Sequence, residues 1–293
     1  MWVLRSCKRG RGCRVPSVQQ IGACAQGDAL VSHTTCNEHR AHQHRHASTS
    51  GSTSYPTHLP LNFLQRGAVA VLSAIGAVAN PARADLVAAL GETTGELALR
   101  NMRLRMQSSP TGRRILQDQP RVTDATLEYA RTMPEGTFGH AYAMFMGDRN
   151  FTAGERPPVR FIDDPELAYV AARAREVHDF WHVLFGCHTN VFGELALKAV
   201  EFVQTGMPMT ALSVLGAQWR LKPEQRARLL SEYVPWALRA GARSADLMSL
   251  YYEEHFQDDL VELRRKWRIM PAPRVPRRLI VDAPAVPVQP LPT

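Results

Sequence analysis

Apolar positions recur at helical spacing through the middle of the chain. Leu86, Leu90, Leu97 and Leu104 lie four or seven residues apart between Asp85 and Met106, which places them on one face of a 3.6-residue repeat. Gly91 and Gly95 are the expected interruptions. Ser108-Ser109-Pro110-Thr111-Gly112 reads as a breaker after that helix. Upstream, Gly67 to Ala79 is an apolar run of thirteen residues. A membrane-spanning helix needs about 20, so this run predicts a buried or interfacial helix. Thr123–Thr132 predicts another, capped by Thr123 or Asp124 and closed by Pro134-Glu135-Gly136. Ala141–Met146 continues helically, and Glu155–Ile162, with Pro157-Pro158, reads as extended loop.

Asp164-Pro165-Glu166 is a helix start with Asp at the cap and Pro in the first turn. That helix runs to Phe185 and stops at Gly186. Thr189 or Asn190 caps the next, which reaches Gln204 and stops at Gly206. Further helices are expected from Pro208 to Arg220, Pro223 to Tyr233, Pro235 to Gly241 and Asp246 to Arg268. No β-branched alternating run of useful length occurs. The prediction is an all-α fold with one multi-helix domain, residues 55–270.

The ends differ in composition. Residues 1–54 predict a disordered leader, and 271–293, with six prolines from Pro273 to Pro292, predict an irregular tail. The chain has 293 residues and a formal charge of +8. Residues 1–50 and 264–293 together hold 14 of the 35 bases and 3 of the 27 acids. The middle keeps 21 against 24, a net of −3. A domain that coats phosphates carries its positive charge on its own face, so no nucleic-acid partner is expected. The leader is basic and free of acids before Asp28, which resembles a mitochondrial transit peptide. Four of the five cysteines also lie there, and Cys187 alone lies in the middle. No disulfide within the domain is therefore expected, as suits a reducing compartment.

The chemistry concentrates in His178-Asp179-Phe180-Trp181-His182, with Glu194 twelve residues further on. On a helix His178 and His182 sit about 40° apart, and Asp179 about 60° from His182. Glu194 follows a break at Gly186–Gly193, so a helical hairpin can bring it beside them. Two imidazoles and two carboxylates among apolar neighbours suit Zn²⁺, and Fe²⁺ or Mn²⁺ also accept such donors. The zincin pattern has Glu where Asp179 stands. HD-type phosphohydrolases share the adjacent His-Asp but need further ligands, which His140 and His255 do not supply in any motif.

His178, Asp179, His182 and Glu194 match the H-D-x-x-H-x11-E signature of the ubiquinone (coenzyme Q) biosynthesis protein family, fourth of the Coq series, which the chain resembles. Tyr55-Pro56-x-His58, Gly91-Glu92-Thr93-Thr94-Gly95, Pro134 to Gly139, Asp163 to Tyr169 and Tyr233 to Ala237 are similar too. The resemblance implies an all-helical protein, peripheral on the matrix side of the mitochondrial inner membrane, in a multi-subunit complex with other ubiquinone-biosynthesis proteins. It implies Zn²⁺ at the four matched residues, and a lyase that removes the C1 carboxylate of 4-hydroxy-3-methoxy-5-polyprenylbenzoate, a polyprenylated aromatic substrate. Asp179, Glu194 and a metal-bound water are alternative proton donors. Gly67–Ala79, Met144, Met146, Met207 and Met209 are candidates to line a lipid tunnel. The competing reading is a non-catalytic lipid-binding scaffold that organises the other enzymes.

Overall fold

The computed structural model describes residues 54–274, apart from 81, 82, 150, 151, 153 and 155. Among the described residues every regular element is helical, and one isolated antiparallel bridge joins Thr137 to Asp259. The predicted leader up to residue 53, and the tail beyond residue 274, fall outside the described residues.

Helix α1 (Phe63–Ala79) starts at a capping box in which Asn62 and Gln65 exchange hydrogen bonds. It lies on α2 (Ala84–Thr94), and α2 lies on α9 (Pro208–Ala217). At Gly95, one of the two expected interruptions, the chain turns from α2 into α3 (Glu96–Ser108), while Gly91 stays inside α2. The predicted breaker at 108–112 does end α3, and it also starts α4 (Pro110–Asp118). The Ser109 hydroxyl accepts from the Gly112 N–H at 2.8 Å and Pro110 holds the first turn. The extended backbone of Ser109 before Pro110 ends one helix, and its hydroxyl caps the next. Next come α5 (Asp124–Arg131) and α6 (Phe138–Gly147).

Helix α7 (Pro165–Phe185) is the axis of the fold. Asp164 accepts from the Glu166 and Leu167 N–H groups, and Gly186 closes the helix at φ 69°. Its apolar side chains are buried nearly all round. Phe180 packs edge-on against Tyr142 and Phe138, with ring centroids 4.6 and 5.4 Å apart. The Trp181 indole N–H donates to the Tyr252 hydroxyl at 2.9 Å, and that hydroxyl donates to the Leu247 carbonyl.

The α7–α8 connection is tight because of Gly193. A Cβ there would lie 2.1 Å from the His188 carbonyl oxygen. Asn190 then caps α8 (Val191–Thr205) through the Gly193 N–H at 2.8 Å. After α9, helix α10 (Pro223–Arg228) runs through a π turn, Leu229–Tyr233, into α11 (Val234–Arg243). Pro235 has no N–H for the Ser231 carbonyl, so the hydrogen-bond ladder shifts there.

The helix predicted over 246–268 is not formed. Two 3₁₀ turns, Leu247–Ser249 and Tyr252–His255, precede a short α12 (Leu260–Lys266). The cause is non-local. The Phe256 and Asp258 carbonyls accept from the Gly139 and Phe138 N–H groups, both at 2.9 Å. Those oxygens are then turned away from a helical ladder. Asp259 restarts the helix by capping Val261 and Glu262.

Candidate metal centre and the cavity behind it

Helix α7 supplies His178 and His182, one turn apart, and the first turn of α8 supplies Glu194. The two Nε2 atoms are 3.1 Å apart. His182 Nε2 lies 3.1 Å from Glu194 Oε1, and His178 Nε2 lies 3.7 Å from Glu194 Oε2. One ligand atom from each residue falls within 4.8 Å of the other two.

The outer ring nitrogens decide what faces inward. His182 Nδ1 is 3.0 Å from the Cys187 carbonyl, which can only accept, so Nδ1 carries the proton. His178 Nδ1 is hydrogen-bonded to the Glu201 carboxylate on α8. Both Nε2 atoms are thereby left with lone pairs directed at one another and at a carboxylate. Two imidazole lone pairs and a carboxylate oxygen gathered this closely are a donor set that a divalent cation satisfies. Two nitrogens bound to one tetrahedral Zn²⁺ at 2.0–2.1 Å would be roughly 3.3 Å apart, close to the spacing seen. The donor set therefore fits a divalent metal.

Electrostatics support the neutral-ligand state. Burial pushes the His178 pKa down, and the nearby Lys198 ammonium adds to this, while Glu201 opposes it. Burial raises the Glu201 pKa, but Lys198 and His178 outweigh it and bring the carboxyl down to about 2. Lys198 Nζ is 3.0 and 2.8 Å from the two Glu201 oxygens. This carboxylate is the support that orients a metal-binding imidazole.

Asp179 goes elsewhere. Its Oδ2 is 2.6 Å from an Arg156 guanidinium nitrogen, and both side chains are about nine-tenths buried. The structure thus brings together His178, His182 and Glu194 and ties Asp179 to the loop before α7. That loop is fixed by Glu92 of α2, which is buried and accepts from the Arg160 and Phe161 N–H groups at 2.8 Å and from Arg175 at 2.5 Å. His58 also serves this loop, its Nε2 lying 3.0 Å from Asp163. Sequence reasoning missed Arg156, Lys198 and Glu201. A signal existed for the last two, because Glu194, Lys198 and Glu201 form an i, i+4, i+7 polar stripe on an otherwise apolar helix.

A cavity of about 460 Å³ opens from this cluster. His178, Glu194, Lys198, Glu201, Arg156 and Arg175 form its polar end. Beyond them it is apolar, walled by Ala74, Ala77 and Val78 of α1, by Val87 and Leu90 of α2, and by Met209 and Leu212 of α9. Met207 and Met209 line it, whereas Met144 and Met146 do not. The far end meets an exposed apolar face. Leu72 and Ile75 of α1 are 67% and 63% exposed, and Leu215 and Trp219 at the end of α9 are 62% and 71% exposed. The two segments meet where Arg220 donates to the Val78 carbonyl at 2.9 Å. Among the described residues no helix is long and apolar enough to cross a membrane.

Comparison with known proteins agrees with this architecture. Residues 55–273 match the family model described as coenzyme Q (ubiquinone) biosynthesis protein Coq4. The chain is 49% identical over 232 residues to the mitochondrial ubiquinone biosynthesis protein coq4 of Aspergillus niger, covering 78% of this chain and 80% of that one. A protein of the same name from Coccidioides immitis is 45% identical over 223 residues, covering 75% and 78%. A crystal structure from Nostoc punctiforme, of a protein provisionally described as a ubiquinone biosynthesis protein, superposes with a TM-score of 0.56 at 22% identity. It covers 69% of this chain and 97% of its own. At that identity the likeness speaks for the fold.

Proposed function

The chain belongs to the Coq4 family of ubiquinone biosynthesis proteins, and from that premise we propose that it is a metal-dependent carbon–carbon lyase of the pathway. Its substrate is 4-hydroxy-3-methoxy-5-polyprenylbenzoate and its product 2-methoxy-6-polyprenylphenol, with release of CO₂. The observation that carries the reading is the junction of two environments. A three-residue donor set for a divalent metal lies at one end of a cavity, and apolar walls leading to an exposed apolar face lie at the other. A polar aryl acid carrying an isoprenoid tail has the same two ends.

His178, His182 and Glu194 would hold the metal. When bound it supplies Lewis-acid polarisation and a template for the acid's oxygen atoms. Counting the imidazoles as neutral, Arg156, Arg175 and Lys198 oppose Glu92, Asp179, Glu194 and Glu201 at this end. The balance is one negative charge, which repels a carboxylate, and a divalent cation reverses its sign. In the reaction the ring carbon C1 gains a proton. The bond from C1 to the carboxylate carbon then returns its electron pair to the ring as CO₂ leaves. The 4-hydroxyl, para to C1, feeds electron density to that carbon. Glu194 is the carboxylate on the cavity wall beside both imidazoles, held well below the usual carboxylate range, so it would serve as a ligand while a water in the site brings the proton to C1. Asp179 is not among the lining residues and acts through Arg156, which is. The apolar face of α1 and α9 rests on the matrix side of the inner membrane, where the substrate is dissolved and the pathway's other proteins assemble. In this reading residues 1–54 address the chain to mitochondria.

The same apolar cavity also suits a scaffold that binds lipid without chemistry. An assay separates the two. Purified metal-loaded protein is incubated with a prenylated 4-hydroxy-3-methoxybenzoate and the products are weighed by mass spectrometry. The expected result is the decarboxylated phenol, lost on chelation and in Glu194→Gln. Absence of CO₂ release, together with normal ubiquinone synthesis in cells carrying Glu194→Ala, would remove the lyase reading.

A further inference from the structure

Three cationic side chains line the polar end of the cavity, and they are not equivalent. Arg156 is held by Asp179 at 2.6 Å and by the Val122 carbonyl at 3.1 Å. Arg175 is held by Glu92 at 2.5 Å and by the Ala88 and Pro157 carbonyls. Each guanidinium thus has its own carboxylate and backbone acceptors. Lys198 is only 9% exposed, and among the described residues both of its hydrogen bonds go to one carboxylate, Glu201. Glu201 is shared, because it also takes His178 Nδ1. An ammonium has three donors, so among the described residues one N–H of Lys198 is left for an acceptor. Its side chain stands on the cavity wall beside His178 and Glu194.

A buried cation with a donor in hand costs free energy until an acceptor arrives. Ligand sites of this size gain orientation from a few such polar groups set in an apolar wall. We propose that Lys198 is the specificity-determining residue that anchors the carboxylate of an aryl acid whose apolar tail fills the cavity toward Met209 and Leu212. This rests on the cavity being the seat of the prenylated acid. The consequence is discrimination by charge. The acid gains a charge-assisted hydrogen bond, and a neutral molecule of the same shape leaves the Lys198 donor unmet. Loss of the carboxylate as CO₂ then removes the anchor and favours release of the product.

The test measures binding rather than turnover. Full-length metal-loaded protein is titrated with 3-farnesyl-4-hydroxybenzoic acid and with its methyl ester, following the fluorescence of Trp181, which lines the cavity. Metal content is measured on each variant. Wild type should prefer the acid. Lys198→Met should weaken acid binding about tenfold or more and ester binding by less than about twofold, and Lys198→Arg should keep most of the preference. The double variant K198M/E201Q removes both charges, so it leaves no lone buried carboxylate and carries the test if K198M alone does not fold. With Lys198 as the anchor the preference for acid stays lost in the double variant. Its return there would mean that Lys198 merely neutralises Glu201, and would overturn the assignment. So would unchanged acid affinity in a folded K198M. Acid preference in a wild type that releases no CO₂ keeps Lys198 in this role and removes the lyase reading alone.

Discussion

His182 donates from Nδ1 to the carbonyl oxygen of Cys187 at 3.0 Å, and this bond aims its Nε2 at Glu194. The acceptor is a backbone atom of the turn that ends α7, so the tautomer is built into the helix terminus. His182→Ala should therefore lower bound metal about tenfold or more, since even supporting partners of metal ligands contribute 10–100-fold. Elemental analysis of gently purified protein checks this, with circular dichroism to confirm the helices. Cys187→Ala keeps the carbonyl and should leave metal content unchanged.

Asp179 and Glu194 should respond differently to loss of charge. Glu194→Asn removes a donor and should empty the site. Asp179→Asn should retain metal within about twofold while destabilising the fold, because it breaks the buried ion pair with Arg156. Breaking a buried pair costs about 3–5 kcal/mol. For a domain of this size that is a fall in Tm of roughly 6–20 °C. Metal loss equal to that of Glu194→Asn would place Asp179 among the ligands.

Acidification should act in two steps on the chelated protein. Burial holds the His178 pKa below its ordinary 6.5. The unfolded imidazole takes its proton first, so stability is full above about pH 6.5 and declines as the pH falls below it. Glu201 is depressed from 4.5 to about 2. Its contribution is present above pH 4.5 and is lost as the pH falls toward 2. Thermal melts across these windows should show both losses in wild type, and Glu201→Gln should reduce the second, to which the depressed Glu194 and Asp164 carboxyls also contribute. A second loss of unchanged size in that variant would count against the Lys198–Glu201–His178 arrangement.

Leu72 and Ile75 project from α1 into solvent. Replacing both with Glu should leave the melting temperature within about 2 °C, as exposed substitutions usually do. Flotation with vesicles of inner-membrane composition should fall several-fold. Equal flotation by the variant would show that another face meets the lipid.

Much of the site was legible because it is local. His178 and His182 are one helical turn apart, and Asp164-Pro165 and Gly186 state where that helix begins and ends. Glu194 was within reach because Asn190 and Gly193 mark a tight hairpin. Asp179 shows where local reasoning stops. A helical wheel puts it about 60° from His182, an arc wide enough to face either the metal donors or something else. The outcome depended on Arg156, 23 residues earlier in the chain.

The sequence by itself therefore determined the all-helical class, the long axis helix and the pairing of two imidazoles with Glu194. Caps, periodicity and a single hairpin act over a few residues and need no knowledge of the rest of the chain. Tertiary structure alone decided that 246–258 would not be α-helical, since the carbonyls of Phe256 and Asp258 bond to the start of α6. It also decided that Glu201 would support His178, that Asp179 would hold Arg156, and that a cavity would join the site to the exposed face of α1. Each of these is a contact between segments distant in sequence. Which acceptor a buried donor finds there depends on packing, and no local propensity encodes it.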